Sequence, residues 1–346
     1  MSASIKPIKI KNKLIFCFII AIAVLNILPA KAEVKDWSRD QNINGSINSI
    51  PKSELGNLNE VIVAVIDTGI DPSHKELKNK IVTMKNGEFV SAHQFDYGRD
   101  FSPRSLTFKR PYDENGHGTH IASIITSIAP NAKILPIKYF NKDATEKENL
   151  DATIDAIKYA INLGVKIINY SSGGSGMSLA EKEVINLANK NGVLLIAAAG
   201  NFGEDIDEKN LQYYPASYNH RNIISVINHG VNFKLHKTSN YGKYGADISA
   251  PGTNILGAFP NSRYGNLTGT SQSTAFVSAT AAILKGFFSN ISHTKVKEFI
   301  IKGSHYIPTL QNKCISSGAL DIKKTILLAK KYTKRKFAST KQKSHP

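Results

Sequence analysis

Four side chains of this sequence are of the types that acyl transfer by a serine requires. Asp67 follows the apolar run VIVAVI, His117 lies in NGHGTH, Asn201 follows VLLIAAAG, and Ser271 lies in GTSQSTAF. In that chemistry the hydroxyl attacks a carbonyl carbon, the imidazole takes and returns its proton, and the carboxylate fixes the tautomer of the imidazole. An Asn side chain and a backbone N–H at a helix start, here that of Ser271, can donate to the developing oxyanion. The set predicts hydrolysis through a covalent acyl-enzyme on Ser271.

Each of these residues also has a structural interpretation when it is taken alone. A serine ahead of a helix is a common N-cap, and Asp or Asn after a strand is a common turn residue. A lone histidine more often has a structural role, but Gly116 and Gly118 flank His117 closely. These glycines let the backbone bring the ring to the front of a helix without steric cost. The catalytic interpretation therefore depends on all four residues being present together.

The elements that must position these residues alternate between strand and helix. Near-continuous apolar runs predict strands that are buried on both faces. They are residues 61–66, 132–138, 165–170, 193–199 and 222–227. Between them ENLDATIDAIKYAINLG and SLAEKEVINLANKNG have helical spacing and end in Gly. The alternation predicts an α/β fold of three layers, a mostly parallel β-sheet with helices on both faces. In such sheets ligands bind at the carboxyl ends of the strands, where Asp67 and Asn201 fall.

Seven motifs, in their order along the chain, resemble the landmarks of the subtilisin-like serine peptidases, or subtilases. They are VIVAVIDTGIDPSH, NGHGTHIAS, IINYSSGG, AAAGN, YPASY, SAPG and GTSQSTAFVSATAA. The resemblance runs from about residue 60 to 300. It implies a subtilisin-like fold, with Asp67, His117 and Ser271 as the catalytic triad and Asn201 as the oxyanion-hole amide. It also implies endopeptidase activity on polypeptides that bind in an extended conformation.

The same resemblance implies which residues bind the substrate. The SSGG segment looks like an edge that pairs with an extended substrate strand, and AAAG would wall the pocket for the residue before the cleaved bond. Tyr213 stands where many relatives have a small residue at the floor of that pocket, which predicts a restricted pocket. The predicted substrate-binding residues are Ser171, Ser172, Gly173, Gly174, Ala198, Ala199, Gly200 and Tyr213.

The residues after Ser271 depart from the family pattern. Subtilases usually follow the serine with Met-Ala-x-Pro-His. This chain has instead Gln272, Ser273, Thr274, Ala275 and Phe276. None of these is a triad member, so we expect activity to survive with different packing behind the serine.

No cofactor is required for this chemistry, and no metal ligand is predicted. Subtilases often bind calcium through a carboxylate soon after the catalytic Asp, for which Glu76 is the candidate, and through a loop that interrupts the helix after the catalytic His. The helix after His117 leaves no room for that loop, so we expect this calcium site to be missing. The acidic stretch between Asn201 and Tyr214 is interpreted as a solvated loop. A weak calcium site, or attraction for basic substrate residues, is the alternative.

The first 32 residues have the pattern of a secretory signal peptide. A Lys-rich start precedes an apolar core at 14–28, which is short for a membrane anchor, and PAKA ends in small-x-small. Cleavage after Ala32 would leave Cys314 without a disulfide partner in the same chain. We therefore expect an exported protein, secreted or periplasmic. Its expected parts are a signal peptide (1–32), an N-terminal arm (33–57), a catalytic domain (58–330) and a basic C-terminal tail (331–346).

The N-terminal arm lacks the features of a folded pro-domain. Its 25 residues contain one aromatic and few aliphatic side chains, and domains below about 40 residues seldom fold unaided. We expect the arm to stay on the mature protein, anchored by Trp37.

The net charge is +17, and nine Lys and Arg with no acid lie between Lys323 and Lys343. The low apolar content of the tail predicts a solvated or disordered segment. Anionic envelope surfaces are candidate partners for it, and a solubilising role is the alternative. No aromatic-interleaved basic motif is present, so specific nucleic-acid binding is not expected. We expect a monomer.

Other functions fit only part of the sequence. A metallohydrolase leaves GTS and AAAGN unexplained. Its candidate ligands are Asp67, Asp71, His74, His117 and His120. An α/β-hydrolase needs Gly where Ser273 stands. A catalytically inactive subtilase-like binding module is permitted by the unusual residues after Ser271, although all four key residues remain.

Overall fold

A computed structural model of the protein describes residues 36–39, 50, 52–55, 57–85, 88–90, 97–105 and 110–343. The predicted signal peptide lies outside the described residues, as does most of the predicted N-terminal arm.

The strands and helices of this part of the chain have the following bounds. The strands are β1 (Val61–Asp67), β2 (Thr83–Lys85), β3 (Glu88–Val90), β4 (Arg99–Asp100), β5 (Ala132–Lys138), β6 (Ile167–Tyr170), β7 (Leu194–Ala198), β8 (Ile223–His229), β9 (Ile248–Pro251), β10 (Ile255–Phe259), β11 (Arg263–Leu267), β12 (His305–Tyr306) and β13 (Gly318–Ala319). The helices are α1 (Lys52–Leu55), α2 (His117–Ile128), α3 (Glu146–Asn162), α4 (Leu179–Lys190), α5 (Thr270–Phe287), α6 (His293–Lys302) and α7 (Ile322–Lys343).

Most of these strands form one sheet, in the order β12-β13-β9-β8-β7-β6-β1-β5-β4. All neighbours from β13 to β4 pair in parallel, and β12 pairs antiparallel with β13 at the edge. All five strands predicted from apolar runs are present, with ends that differ by three residues or fewer. The prediction of a mostly parallel sheet is confirmed.

Helices cover both faces of the sheet because successive side chains of a strand point to opposite sides. In β1, Val63 and Val65 belong to a hydrophobic cluster that includes residues of α2 and α5. Ala64 and Ile66 belong to a second cluster that includes residues of α3 and α4. The two clusters are the two interfaces of a three-layer α/β fold, as the sequence predicted.

Helix α5 is buried along almost its whole length, from Thr270 to Gly286. Its Ala, Ser and Thr side chains are small enough to let the backbone pack closely against the sheet. The buried hydroxyls bond within the helix: Thr274 Oγ1 donates to the Thr270 carbonyl at 2.8 Å, and Thr280 Oγ1 donates to the Phe276 carbonyl at 2.9 Å. A helix enclosed in this way holds its first turn in a fixed position relative to the strands.

Two elements differ from what the sequence indicated. The antiparallel hairpin of β10 and β11 packs on α2, and His120 Nε2 lies 3.1 Å from the carbonyl oxygen of Ile255 and 3.2 Å from that of Gly265. The tail expected to be irregular continues α7 up to Lys343. Lys, Arg, Gln and Ala favour helix once a preceding turn has been formed, and the apolar first half of α7 supplies that turn. In the described part of the chain, no helix combines the length and apolar character that a membrane span needs.

Candidate active site

Three neighbouring parallel strands bring the predicted residues to one edge of the sheet. Asp67 is the last residue of β1, Ser171 follows β6, and Asn201 lies three residues beyond β7. The order β7-β6-β1 makes these strands adjacent. The first turns of α2 and α5 meet the same edge, so His117 and Ser271 reach it as well.

His117 and Asp67 form a direct pair. His117 Nδ1 lies 2.7 Å from Asp67 Oδ1, and the exposed fractions of the two side chains are 19% and 4%. Asp67 Oδ1 also accepts the backbone N–H of Thr68 at 2.8 Å. A carboxylate can only accept, so Nδ1 carries the hydrogen in this contact, and Nε2 is left as the basic nitrogen of the neutral ring.

The surroundings of His117 favour its protonated form. Burial lowers the pKa of His117, but the charge of Asp67, its hydrogen bond and the charge of Asp113 outweigh burial. The pKa therefore lies above the ordinary value of 6.5. An imidazolium that forms here during a reaction is stabilised in the same way.

Asp113, which the sequence analysis did not single out, organises the loop before α2. It is fully buried, and its Oδ1 accepts from Thr68 Oγ1 at 2.8 Å and from the Gly116 N–H at 2.8 Å. Its Oδ2 accepts from the Thr119 N–H at 2.9 Å and Oγ1 at 2.6 Å. Thr68 Oγ1 in turn accepts the N–H of Gly118 at 2.9 Å. This network ties the turn after β1 to the start of α2, and thereby fixes His117 relative to Asp67.

Ser271 is tied to the end of β6. Its Oγ donates to the Ser171 carbonyl at 3.0 Å, and Ser171 Oγ donates to the Ser271 carbonyl at 3.3 Å. Asn169 extends this contact, since its Nδ2 donates to Ser171 Oγ and its Oδ1 accepts from Ser278 Oγ, each at 2.8 Å. Among the hydrogen bonds of the described residues, Ser271 Oγ has Ser171 rather than His117 as its partner. Ser271 is 7% exposed.

Asn201 lies beside the first turn of α5. Its Oδ1 accepts the Thr270 N–H at 2.9 Å and the Thr270 hydroxyl at 3.1 Å, so Nδ2 is directed away from Thr270. Buried Asn240, another residue not found from the sequence, holds the loop that carries Asn201. Asn240 Nδ2 donates to the Ala199 carbonyl, and its Oδ1 accepts the Phe202 N–H, both at 2.9 Å.

The two predicted walls of the pocket lie on either side of Tyr213. A Cβ atom placed on Gly173 would lie 2.6 Å from Cε1 of Tyr213, and one on Gly200 would lie 3.0 Å from its Cγ. The ring therefore occupies space between SSGG and AAAG. Ala198 and Ala199 are buried, and Ala199 packs in an interior cluster with Ile206 and Ile227 rather than at an open surface.

The edge segment is paired at one of its four residues. Gly174 exchanges two backbone hydrogen bonds with Tyr214, at 2.8 and 2.6 Å. In extended chain, successive residues direct their N–H and C=O groups to opposite sides. Gly173 therefore directs its backbone groups away from Tyr214, while Ser172 is half-buried beside it.

The remaining acidic and histidine candidates bind to neighbouring loops. Asp71 Oδ2 accepts the Asn261 N–H at 2.9 Å, and His74 Nε2 lies 3.2 Å from the Arg263 carbonyl oxygen. Glu76 Oε1 accepts from the Tyr264 hydroxyl at 2.8 Å. These contacts hold the hairpin of β10 and β11. Within the described ranges, no three or more His, Cys, Asp or Glu side chains are grouped so that they could hold a metal ion.

Two carboxylates of the acidic stretch after Asn201 accept hydrogen bonds from nearby backbone N–H groups. Asp207 Oδ2 accepts the Tyr244 N–H at 2.9 Å, and its Oδ1 accepts the Gly245 N–H at 2.7 Å. Asp205 Oδ1 accepts the Asp207 N–H at 3.1 Å. These two carboxylates cap backbone groups of adjoining turns.

Comparisons with known proteins agree on one family. The sequence profile of the subtilase family matches residues 59–334. The chain is similar to the major intracellular serine protease of Bacillus subtilis (strain 168), with 36% identity over 245 residues, 68% of this chain and 72% of that protein. It is similar to thermitase of Thermoactinomyces vulgaris, with 32% identity over 232 residues, 64% of this chain and 74% of that protein. A structure solved in work on the assembly of subtilase cytotoxin SubAB is similar in fold, with a TM-score of 0.69 and 24% identity over 86% of this chain and 97% of that chain.

Proposed function

The chain belongs to the subtilase family and is a serine-type endopeptidase, and on that premise we propose that Ser271 is its nucleophile, His117 its general base and Asp67 the residue that orients the base. The observation that carries this proposal is the 2.7 Å contact between His117 Nδ1 and Asp67 Oδ1, at the sheet edge where α5 presents Ser271. Membership of this family of serine peptidases argues against the metallohydrolase alternative.

The proposed reaction begins with the transfer of the Ser271 proton to His117 Nε2. The hydrogen bond from Ser271 Oγ to the Ser171 carbonyl must break for this, because the hydroxyl has a single hydrogen to donate. Oγ then attacks the carbonyl carbon of the substrate, and the C–N bond breaks as the imidazolium gives its proton to the leaving amine. Water repeats these steps on the acyl-enzyme, releases the carboxylic acid and restores the Ser271 hydroxyl.

Two donors are available for the oxyanion. The N–H of Ser271 lies in the first turn of α5, where backbone N–H groups have no acceptor within the helix. The Nδ2 group of Asn201 is the second donor, and Thr270 orients it by binding the Oδ1 atom. Donors that are held in place before the reaction stabilise charge at no cost of reorganisation.

We propose that the substrate chain lies along residues 171–174 as an added strand. The backbone groups of Gly173 are directed away from Tyr214 and so towards such a strand, and β-augmentation of this kind needs no particular side chain. The ring of Tyr213 between the pocket walls favours a small residue before the cleaved bond.

We also propose that the protein is exported. Support comes from the first 32 residues, with their Lys-rich start, short apolar core and PAKA sequence. One relative is named as an intracellular protease, so the proposal depends on the N-terminal sequence of this chain.

Alanine substitution of the three residues tests the catalytic assignment. We expect Ser271→Ala, His117→Ala and Asp67→Ala each to lower kcat/KM on an unstructured protein substrate by about 10⁴-fold or more, with combined losses far from additive. Ser273→Ala is the matched control, because it removes a buried hydroxyl two residues further along α5, which donates to the Ala250 carbonyl. If Ser271→Ala is folded and keeps wild-type turnover, the assignment is wrong.

A further inference from the structure

A cavity of about 380 Å³ lies beside the proposed substrate strand, and we propose that it is a subsite which selects a Lys or Arg side chain of the substrate, with Glu181 as the residue that binds the charged end. This inference rests on the proposed function, because it takes residues 171–174 as the edge on which the substrate lies. It adds a specificity-determining residue that no motif of the sequence pointed to.

The position of the cavity connects it to the site. Ser172, Gly173 and Gly174 form one wall, and Tyr214, which pairs with Gly174, also lines it. Ser171, the next residue towards the nucleophile, accepts the hydrogen bond of Ser271 Oγ. A peptide that follows this edge away from Ser271 therefore passes the mouth of the cavity. Pockets that bind ligands have volumes of roughly 300–1,000 Å³, so one long side chain fits this one.

Glu181 lines this cavity, although its position in the first turn of α4 favours a contact with the N-cap N–H. It is the third residue of α4, after the N-cap Ser178, where a Glu commonly turns back to the N-cap N–H. Here the Ser178 N–H donates to the Tyr218 hydroxyl at 3.0 Å, and Glu181 Oε2 lies 2.9 Å from that same hydroxyl. The residue is 3% exposed and lines the cavity. A helix-capping role alone leaves this burial unexplained.

Glu181 has no cationic partner within the chain as described. No Lys, Arg or His of the described residues lies within 4 Å of its carboxylate. Burial raises the pKa of Glu181 to about 7, against the lowering effect of the Tyr218 hydrogen bond. A carboxylate is costly to bury unpaired, and an incoming ammonium or guanidinium group supplies the missing charge.

The walls of the cavity suit the rest of such a side chain. Tyr170 and Tyr214 present aromatic surface on which the methylene stem of Lys or Arg can pack while its head meets the carboxylate. The titratable and charged groups around Glu181 and the cavity are Tyr139, Lys142, Glu146, Tyr170, Tyr213, Tyr214 and Tyr218. Burial raises the pKa of Tyr139, Tyr170, Tyr213 and Tyr218, so these four stay neutral near neutral pH. Lys142 and Glu146 are exposed and of opposite charge.

The experiment measures kcat/KM of the full chain on a series of fluorogenic peptides. The peptides are identical except that Lys, Arg, Gln, Met or Asp is placed in turn at each of the four positions before the cleaved bond. At one position we expect Lys and Arg to exceed Met by about tenfold or more, which is the effect of one charge-assisted hydrogen bond. Glu181→Gln should abolish this preference, so that the ratio of kcat/KM for the Lys and Arg peptides to kcat/KM for the Met peptide falls to about one. Glu183→Gln, an exposed change of the same kind two residues along α4, is the control and should keep the preference.

The pH dependence of the wild-type protein gives a second readout that needs no variant. Binding a cation requires ionised Glu181, so the ratio of kcat/KM for Lys and Met peptides should fall towards one as the pH decreases below about 7, and should level off above it. The ratio of Gln to Met peptides should stay flat over the same range.

Failure of this inference is distinguishable from failure of the proposed function. A fluorophosphonate that labels Ser271 while the peptides show a preference for Met or Gln, or a Lys preference that survives Glu181→Gln, overturns the role of Glu181 alone. Absence of labelling in folded protein overturns the proposed function instead.

Discussion

Two carboxylates act on His117 in different ways. Asp67 binds its Nδ1 atom directly, whereas Asp113 acts through its charge and through the loop that it organises. In the proposed mechanism His117 is the general base and must be neutral to accept the serine proton. Its raised pKa would then set a lower pH limit for activity.

We expect kcat/KM to fall on the acidic side with a midpoint above 6.5, because the pKa of His117 lies above that value. Asp113→Asn removes a negative charge that raises the pKa, so the midpoint should move to lower pH. The pH profile of kcat/KM, taken well below the unfolding temperature of each variant, measures this.

Glu114→Gln is the control for that experiment. Glu114 is next in sequence and exposed, and it pairs with Lys138 at 3.4 Å rather than with the site. The electrostatic role of Asp113 is contradicted if Asp113→Asn leaves the acidic midpoint of the kcat/KM profile unchanged. It is also contradicted if both variants move that midpoint equally.

The start of α2 approaches the turn after β1 so closely that there is no room for a side chain larger than hydrogen at Gly118. A Cβ atom on Gly118 would lie 2.1 Å from the carbonyl oxygen of Gly69. The same residue donates its N–H to Thr68 Oγ1. The helix start and the turn after β1 are thus in direct backbone contact, which brings His117 to Asp67.

Gly118→Ala is expected to separate these two elements. Overpacking of this kind costs about 1–3 kcal/mol of unfolding free energy. A displacement of about 1 Å between His117 and Asp67, the proposed catalytic pair, can cost about 10²-fold in rate. Thermal unfolding and kcat/KM measure the two effects. Gly230→Ala is the control, because the nearest atom to its Cβ would be 3.6 Å away. Wild-type stability and activity in Gly118→Ala would contradict the close contact.

The strands of the sheet could be predicted from the sequence, because parallel strands buried on both faces need continuous apolar runs. Asp67, His117, Asn201 and Ser271 could be singled out since each has a distinctive neighbourhood in sequence. The hairpin of β10 and β11 could not, because Gly257 and Gly265 interrupt its strands and its stability depends on packing against α2.

Asp113 and Asn240 could not be found either, for a related reason. Each acts through partners that are far away in sequence: Asp113 binds Thr68, 45 residues away, and Asn240 binds Ala199, 41 residues away. Local composition carries no sign of such contacts. The cavity with Glu181 could not be predicted either. A Glu near a helix start is interpreted as a capping residue unless its burial is known.

At the scale of the whole molecule, the N-terminal arm contacts the part of the structure that supports α5. Trp37 Nε1 donates to the Thr253 carbonyl at 2.9 Å, and its ring centroid lies 6.4 Å from that of His229. Thr253 follows the end of β9, where the Ala250 carbonyl accepts the hydroxyl of Ser273. Retention of the arm is therefore expected to stabilise the region behind Ser271.

We predict that residues 33–346 fold to active enzyme without a pro-domain. The measurement is the N-terminal sequence of the exported protein, for wild type beside Ser271→Ala. Both should begin at Glu33, because removal of the signal peptide is the one cut that the sequence indicates. A wild-type chain that starts well past Glu33, beside an uncut Ser271→Ala chain, contradicts this and shows self-processing.

In the proposed mechanism Ser271 is a nucleophile that His117 and Asp67 activate. Reaction with a fluorophosphonate, followed by mass spectrometry of the digested protein, tests it most directly, because the reagent forms a covalent adduct with an activated serine. We expect a single adduct on Ser271 in the wild type. Its formation should be slowed by orders of magnitude in His117→Ala, the adduct should be absent in Ser271→Ala, and Ser273→Ala should be labelled normally. Folded wild-type protein that stays unlabelled, or that carries its adduct on another residue, would contradict it.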